Sequence, residues 1–253
     1  MKQTHVETQS RVTSKKELEL YLFEEFKRLS PELIFTHLEQ PQPPAPDILV
    51  DFQSHRIGIE IIRHIVEHQK RQESDEELVI DMARRQYQAT GKPAVGVSVL
   101  WATHKPCVRS DRARLSEALV SIVNQNVPQF GTWCELDWSS LPEPLASSVH
   151  HVRIDRLIDY AESHWRLPRG GWFSTVRPED IWSAIAAKES RFTGYQRYCY
   201  ATWLLIASEG FGPSSWCEVS EDTRQHLYST RFSRVFFLAT HPKEVIELQV
   251  KQP

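Results

Sequence analysis

The sequence is poor in cysteine and has no long apolar run. Its four cysteines include no C-x-x-C pair, so neither a zinc ribbon nor a redox motif is predicted. The longest apolar runs, 203–207 and 235–239, are far too short to cross a bilayer. Residues 1–16 are polar and lack the apolar region of a secretory signal. These absences favour a cytoplasmic protein with reduced thiols and no membrane partner.

An excess of charge of either sign is also missing. The 253 residues carry 30 Lys plus Arg against 33 Asp plus Glu, a formal net charge of −3. This balance gives no global attraction to nucleic acid, but it does not exclude nucleic acid, because a local basic rim is sufficient. The 40% of hydrophobic and 25% of charged residues are typical of an ordinary globular protein.

The first hundred residues show a clear alternation of helix and strand patterns. Ser14 and Glu17 form a capping-box pattern ahead of an apolar stripe at helical spacing, which predicts a helix over 14–29. The segments that follow predict strands at 33–38, 47–52 and 56–63, a helix at 74–90 and a strand at 94–101. This order predicts an α/β fold with a central mixed sheet flanked by helices.

The remaining chain continues the alternation without a repeat or a clear domain boundary. Residues 131–147 look like a loop. Helices are predicted at 111–124 and 178–191, and strands at 149–154, 203–207, 235–239 and 245–250. We therefore predict a single domain over 1–253, with a core at about 14–101 and a C-terminal elaboration at about 102–253.

Two carboxylates stand where a metal site could form. Asp47 opens one predicted strand directly after Pro46, and Glu60 lies in the middle of the next strand. With a period of two, Gly58, Glu60 and Ile62 share one face of that strand. A carboxylate in such an isoleucine-rich strand is costly unless it is paired or metal-bound, and a salt bridge to a core Arg is the structural alternative.

These residues resemble the metal-binding hairpin of the PD-(D/E)XK nuclease-like, or restriction-endonuclease-like, superfamily. Pro46-Asp47 matches its first motif, and Glu60 within Gly-Ile-Glu-Ile-Ile-Arg at 58–63 matches the Glu of its Glu-x-Lys motif. A weaker likeness to a bacterial branch with a degenerate second motif extends through Lys188 and Tyr195 to the C-terminal strands. The resemblance implies an αβββαβ core, two carboxylates that hold Mg²⁺ or Mn²⁺, and hydrolysis of phosphodiester bonds, most simply in DNA. A homodimer is left open.

The sequence departs from the family pattern at the motif lysine, since Ile62 stands in its place. Arg63 should point to the opposite face, and Lys70 lies in a polar stretch further on. Lys188 is the best substitute, because it continues the apolar stripe of its predicted helix at i+3 from Ile185. The alternative is a lysine that extends to solvent at a helix end.

A third carboxylate is expected from the first helix. Glu19 lies on the same predicted face as Leu22 and Phe26, so it is selected as the helix acid that assists the pair, against the alternative of a solvated carboxylate. Asp51 shares a face with Asp47 and is considered as an extra ligand, although a turn role suits it better.

Two other functions compete with a nuclease. The missing motif lysine favours a catalytically inactive member of the fold that binds nucleic acid or protein. Separately, His64-Ile65-Val66-Glu67-His68 fits the H-x-x-E-H pattern of inverted zinc metallopeptidases. That pattern requires a helix through both histidines, so that they share one zinc ion.

Overall fold

The computed structural model describes residues 14–102, 107–168, 173–210 and 212–253. Its α-helices in chain order are α1 Lys15–Leu29, α2 Glu67–Gln88, α3 Arg112–Gln125, α4 Pro178–Glu189, α5 Phe192–Tyr195 and α6 Glu221–Gln225. Its strands are β1 Thr36–Glu39, β2 Ile48–Phe52, β3 His55–Arg63, β4 Gly96–Trp101, β5 Trp133–Asp137, β6 Val149–Asp155, β7 His164–Arg166, β8 Ser174–Val176, β9 Ala201–Ser208, β10 Cys217–Val219, β11 Leu227–Ser229, β12 Arg234–Ala239 and β13 Glu244–Lys251. Short 3₁₀ helices cover Arg109–Asp111, Trp138–Ser140, Leu145–Ser147 and Pro213–Ser215.

The predicted start of α1 is confirmed in atomic detail. The Ser14 side chain accepts a hydrogen bond from the Glu17 backbone N–H (3.2 Å), and the Glu17 carboxylate accepts one from the Ser14 N–H (2.9 Å). This reciprocal pair satisfies two backbone donors that have no partner within the helix. The cap therefore sets the first turn of α1, which carries the buried side chains that follow.

The chain divides into two compact units, each of which is described by itself. Unit 1 comprises residues 1–65, 173–211 and 215–253, and unit 2 comprises 66–172 and 212–214. Unit 2 is therefore inserted between β3 and β8 of unit 1. The core boundary predicted near residue 101 falls inside unit 2.

Unit 1 contains a large mixed sheet. Among the described residues its seven strands run in the order β1-β2-β3-β9-β12-β13-β11. The pairs β1/β2, β2/β3 and β12/β13 are antiparallel, whereas β3/β9, β9/β12 and β11/β13 are parallel. The antiparallel hairpin and the parallel pair meet at β3, which is thus a central strand. Strands β8 and β10 form a separate small parallel pair.

Helices cover both faces of this sheet. Phe23 and Phe26 of α1 pack against one face of β2, β3, β9 and β12, where Ile59 and Trp203 are buried. Ile181 and Ile185 of α4 and the short helix α5 pack against the opposite face. The alternation of the β3 side chains follows the predicted period of two. The predicted α/β class with a mixed sheet flanked by helices is confirmed.

One part of the predicted core order is wrong. The sequence predicts that the helix over 74–90 and the strand over 94–101 complete the core at about 14–101. Instead β4 pairs with β6 and β7 of unit 2, and β9 lies next to β3, in parallel register from Ile57 opposite Ala201 to Arg63 opposite Ala207. A hydrophobic pattern identifies a strand but not its partner, because pairing is decided by contacts far apart in sequence.

Unit 2 is a second, smaller α/β arrangement. Its sheet has the order β5-β6-β4-β7 among the described residues, with β4 and β7 parallel and the other pairs antiparallel. Val79 and Tyr87 of α2 and Leu119 of α3 pack on one face of it. Strand β5 lies within 131–147, which the sequence predicts as a loop, and α2 begins seven residues before its predicted start.

No α-helix in the described part of the chain is long and apolar enough to cross a membrane.

Candidate functional site

Asp47 and Glu60 lie side by side in unit 1, where β2 begins. Ile48 is opposite Ile59 in the antiparallel pair, so Asp47 comes next to Glu60. The Asp47 backbone N–H donates to Glu60 Oε2 (3.3 Å), and Asp47 Oδ2 accepts from the Ile61 N–H (2.9 Å). Both carboxylates are therefore held on one side of the hairpin, as the sequence predicts.

Glu60 is buried to a degree that makes its charge expensive. The residue is 2% exposed within β3. Burial raises the pKa of its carboxyl group above the ordinary value, and the negative charge of Asp47 adds to the rise. Lys188 and the Tyr195 hydroxyl, which lies beside Glu60, act in the opposite direction. The ionised form of Glu60 is therefore stabilised by Lys188 and Tyr195.

Lys188 supplies the positive charge at this pair. Its Nζ lies 2.5 Å from Glu60 Oε1 and 3.6 Å from Asp47 Oδ2, and its side chain is 12% exposed. Ile181 and Ile185, one face of α4, are buried against the sheet, and Lys188 continues that face toward β3. The alternative of a lysine extended to solvent is therefore wrong. Glu60 has a lysine as its cation here, and not the core Arg of the structural alternative.

Glu19 joins the same group of acids from α1. It is 7% exposed, so the alternative of a solvated helix carboxylate is wrong. Burial raises the pKa of its carboxyl group, and the nearby Asp47 raises it further. Lys15 opposes this rise with its Nζ, which lies 2.9 Å from Glu19 Oε1 and 3.8 Å from Asp47 Oδ1. Three acids, from α1, from the residue before β2 and from β3, thus share two lysines.

Sequence reasoning missed two members of the cluster. Lys15 is one helical turn before Glu19, a spacing that predicts a side-chain pair, but its reach to Asp47 depends on the fold. Tyr195 carries part of the C-terminal resemblance, yet nothing in the sequence places it beside Glu60. It is 2% exposed, and burial together with the Glu60 charge raises the pKa of its phenol.

Several candidate residues lie away from the cluster. Asp51 is opposite Arg56 in the hairpin and lines an open surface pocket near the β2–β3 turn, so it is not an extra ligand. Arg63 forms an ion pair with Glu209. Lys70 belongs to unit 2, where its Nζ is 3.5 Å from Glu73. Ile62, at the family's lysine position, packs against the apolar cluster under α4.

The geometry that a zinc peptidase needs is not present. Helix α2 begins at Glu67, so His64 lies in the preceding segment and the two histidines do not occupy successive turns of one helix. The His64 ring packs edge-on against Phe237 at 5.7 Å between centroids, and burial lowers the pKa of its imidazole. His64 is thus a packing residue of unit 1, and the zinc alternative is set aside.

The donor chemistry of the cluster suits a hard divalent cation. Carboxylate oxygens are the ligands that Mg²⁺ prefers, and Mg²⁺ commonly uses one or two protein carboxylates and completes its shell with waters and phosphates. Asp47 and Glu60 provide such a pair. In the described part of the chain, no group of three or more His, Cys, Asp or Glu side chains is placed to enclose an ion on its own.

Comparisons with protein-family models, with curated proteins and with solved structures returned no match for this chain. The site must therefore be interpreted from its own geometry.

Proposed function

We propose that unit 1 is a nuclease that hydrolyses phosphodiester bonds, most simply in DNA, with Mg²⁺ or Mn²⁺ held by Asp47 and Glu60. The observation that carries this proposal is the position of Lys188. It comes from α4, 128 residues after Glu60, and its ammonium group lies within reach of both carboxylates. The resemblance implies two carboxylates with a lysine beside them. Here the lysine comes from α4 and not from β3, where Ile62 stands at the motif position.

The element order of unit 1 supports the same proposal. When the inserted unit 2, β8 and the short helix α5 are set aside, α1, β1, β2, β3, α4 and β9 follow one another as helix, three strands, helix, strand. The three strands are antiparallel neighbours, and β9 is parallel to β3. This arrangement agrees with the αβββαβ core of the restriction-endonuclease-like superfamily, so we propose that fold for unit 1.

A divalent ion, when bound, polarises the scissile phosphoryl group and lowers the pKa of a coordinated water. The protein side chains have separate tasks. Asp47 and Glu60 would hold the ion, and Glu19 would add negative charge at the Asp47 side. Lys188 favours the ionised form of Glu60 and would offer a positive charge to the negative charge that develops during hydrolysis.

Lys15 lies on the side of the cluster that faces solvent. Its side chain is 76% exposed although its ammonium group contacts both Glu19 and Asp47. An ion held by the carboxylates would take over the charge that Lys15 supplies to the buried Glu19, so we infer that Lys15 would move aside for it. Lys188, in contrast, is 12% exposed and pairs with Glu60 in the interior. We therefore assign the exchangeable charge to Lys15 and the fixed charge to Lys188.

One observation favours the second candidate, a catalytically inactive binding module. The ammonium group of Lys188 pairs with Glu60 at 2.5 Å and approaches Asp47 at 3.6 Å. An ion pair of this kind can serve structure alone. The two candidates differ in one measurable property, since only the nuclease converts a bound nucleic acid to shorter products.

The test is cleavage of supercoiled plasmid and of a labelled single strand with Mg²⁺ or Mn²⁺. Wild-type protein is expected to cleave, and EDTA is expected to stop the reaction. Glu60→Gln and Asp47→Asn should each lower the rate at least ~100-fold, because metal-assisted stabilisation of the transition state is worth several kcal/mol. Glu19→Gln should lower it by a smaller factor.

Matched controls separate these effects from damage to the fold. Glu25→Gln changes a carboxylate on the same helix as Glu19, where Glu25 pairs with Arg28 at the surface, so it should leave cleavage unchanged. Circular dichroism should show that all variants fold. Undiminished cleavage by Glu60→Gln would reject the assignment, and nucleic-acid binding without any cleavage by the wild-type protein would establish the inactive module.

A further inference from the structure

Gly58 in β3 occupies a position where no side chain fits. A Cβ built there would lie 2.5 Å from Pro46 Cγ, 2.8 Å from Cys199 Sγ and 3.1 Å from Pro46 Cβ. Its backbone is ordinary extended strand, so the glycine is needed for space and not for an unusual φ angle. The Pro46 ring therefore lies directly on β3 at Gly58. Gly58 is two residues before Glu60, so the ring lies on the same face of the strand as the Glu60 side chain.

The contact between Pro46 and Gly58 also constrains Asp47, the residue after the proline. Asp47 sits against β3 through its N–H to Glu60 Oε2 (3.3 Å) and through the Ile61 N–H to its Oδ2 (2.9 Å). A proline ring fixes its own φ angle and cannot rotate out of the way as a long side chain could. Any displacement of the ring is thus passed to the Asp47 backbone.

We propose that Gly58 is a positioning residue, whose missing side chain lets Pro46 lie on β3 and thereby sets Asp47 beside Glu60. The inference rests on the proposed function only where the two carboxylates are said to hold an ion. The geometric part concerns where Asp47 lies, and it can be measured without any metal.

The overlap between a Cβ at Gly58 and the Pro46 ring predicts how much Gly58→Ala lowers the rate of cleavage. Ordinary contacts of a Cβ begin near 3.4 Å, so a methyl group at Gly58 has to move the ring by about 1 Å. Metal and catalytic groups must be held within about 0.5 Å of their working geometry. A displacement of about 1 Å can lower a rate about 100-fold, and Gly58→Ala should therefore reduce cleavage by about that factor.

The experiment is a double-mutant cycle between Gly58→Ala and Pro46→Ala. It is made in a Cys199→Ala background, which removes the other contact below 3.0 Å, with Cys199 Sγ at 2.8 Å. The first readout is the Ile61 amide resonance of isotope-labelled, metal-free protein, because that N–H donates to Asp47. The second is Mn²⁺ affinity by calorimetry, and the third is plasmid cleavage. Gly58→Ala should shift the resonance and weaken Mn²⁺ binding at least ~10-fold. Adding Pro46→Ala should bring both readouts back to those of Pro46→Ala alone, because most of the obstructing ring is gone.

Two controls distinguish the proline from other causes. Gly194→Ala is the matched glycine substitution, since a Cβ there would meet only Pro44 atoms at 3.7 Å or more, and it should leave all three readouts unchanged. Cys199→Ala combined with Gly58→Ala removes the sulfur contact but keeps the ring, so it should not restore the wild-type resonance.

The outcomes separate the two proposals. An Ile61 resonance unchanged by Gly58→Ala, or effects of the two substitutions that simply add, would overturn the positioning role. If Gly58→Ala does not fold in the Cys199→Ala background, folding restored by Pro46→Ala supports the role, and a variant with all three substitutions that stays unfolded overturns it. Absence of cleavage and of Mn²⁺ binding in the wild-type protein would reject the proposed function, while the Ile61 resonance still decides the position of Asp47.

Discussion

At the scale of single residues, the cluster depends on the balance between burial and charge. Glu60 is almost wholly enclosed, and a buried carboxylate is unfavourable unless a cation lies close to it. Lys188 provides that cation at 2.5 Å. Removing one partner of a buried pair leaves the other charge uncompensated, which destabilises a protein far more than removal of the whole pair.

Lys188→Met is therefore expected to lower the free energy of unfolding at neutral pH by about 3–5 kcal/mol, measured in EDTA by urea denaturation. The folded-state pKa of Glu60 is raised above its unfolded value, so the folded protein binds more protons between the two values. Stability then falls as pH rises through that window. Lys188 lowers the pKa of Glu60, so its loss should raise that pKa further. The pH range over which stability falls should then extend to higher pH.

The loss in Lys188→Met should consequently be smaller near pH 5 than at pH 7.5. Lys27→Met is the control, because Lys27 pairs with Glu24 at the surface, where both side chains are more than 40% exposed. It should change stability by no more than ~1 kcal/mol at either pH. A Lys188→Met variant with the same pH slope as the wild-type protein would contradict this account.

At the scale of elements, local signals and tertiary contacts contribute differently. The capping box predicts the start of α1, and the run of isoleucines predicts that β3 is buried on both faces. Strand β1 is exposed along its whole length and contains an irregularity between Thr36 and Glu39. Within the part of the chain that the structure describes, it pairs with β2 alone. Such a short, distorted edge strand is unsuited to pairing with another chain.

Ser14→Ala tests the local contribution of the cap. The substitution removes the acceptor for the Glu17 N–H, and loss of such a cap commonly costs about 1 kcal/mol. The free energy of unfolding of unit 1 should fall by about that amount. Glu17→Gln, which keeps an acceptor for the Ser14 N–H, should cost clearly less. Equal losses in both variants would show that the cap acts through charge instead.

At the scale of the whole molecule, three apolar clusters account for the organisation of the chain, one in unit 2 and two in unit 1. Leu119 belongs to the core of unit 2, and Leu205 belongs to one core of unit 1. Both side chains are fully buried. A continuous chain enters unit 2 after β3 and returns before β8, so unit 1 is assembled from segments that are distant in sequence.

Leu119→Ala should destabilise unit 2 by about 2–5 kcal/mol, because it leaves a cavity in a packed core. Native-state hydrogen exchange should then show faster exchange in β6 while β9 keeps its protection. Leu205→Ala is the matched variant and should give the reverse pattern. Equal loss of protection in β6 and β9 for both variants would mean that the two units unfold together.

Much of the candidate site follows from the sequence alone. The period of two in β3 predicts the face of Glu60, and the proline before Asp47 predicts where β2 begins. The helical stripe predicts the face of Lys188, while its extension to solvent stays open from the sequence. These predictions succeed because each depends on neighbours within one or two turns or along one strand. Burial and charge then require a partner for Glu60, although they do not name it.

Only the tertiary structure decides which distant segments meet. It places β9, and not β4, beside β3, and it brings Lys15 and Tyr195 to the same carboxylates. The physical reason is that strand pairing and helix packing are settled by contacts between residues that are far apart in sequence. A local hydrophobic pattern is the same for every partner that could satisfy it.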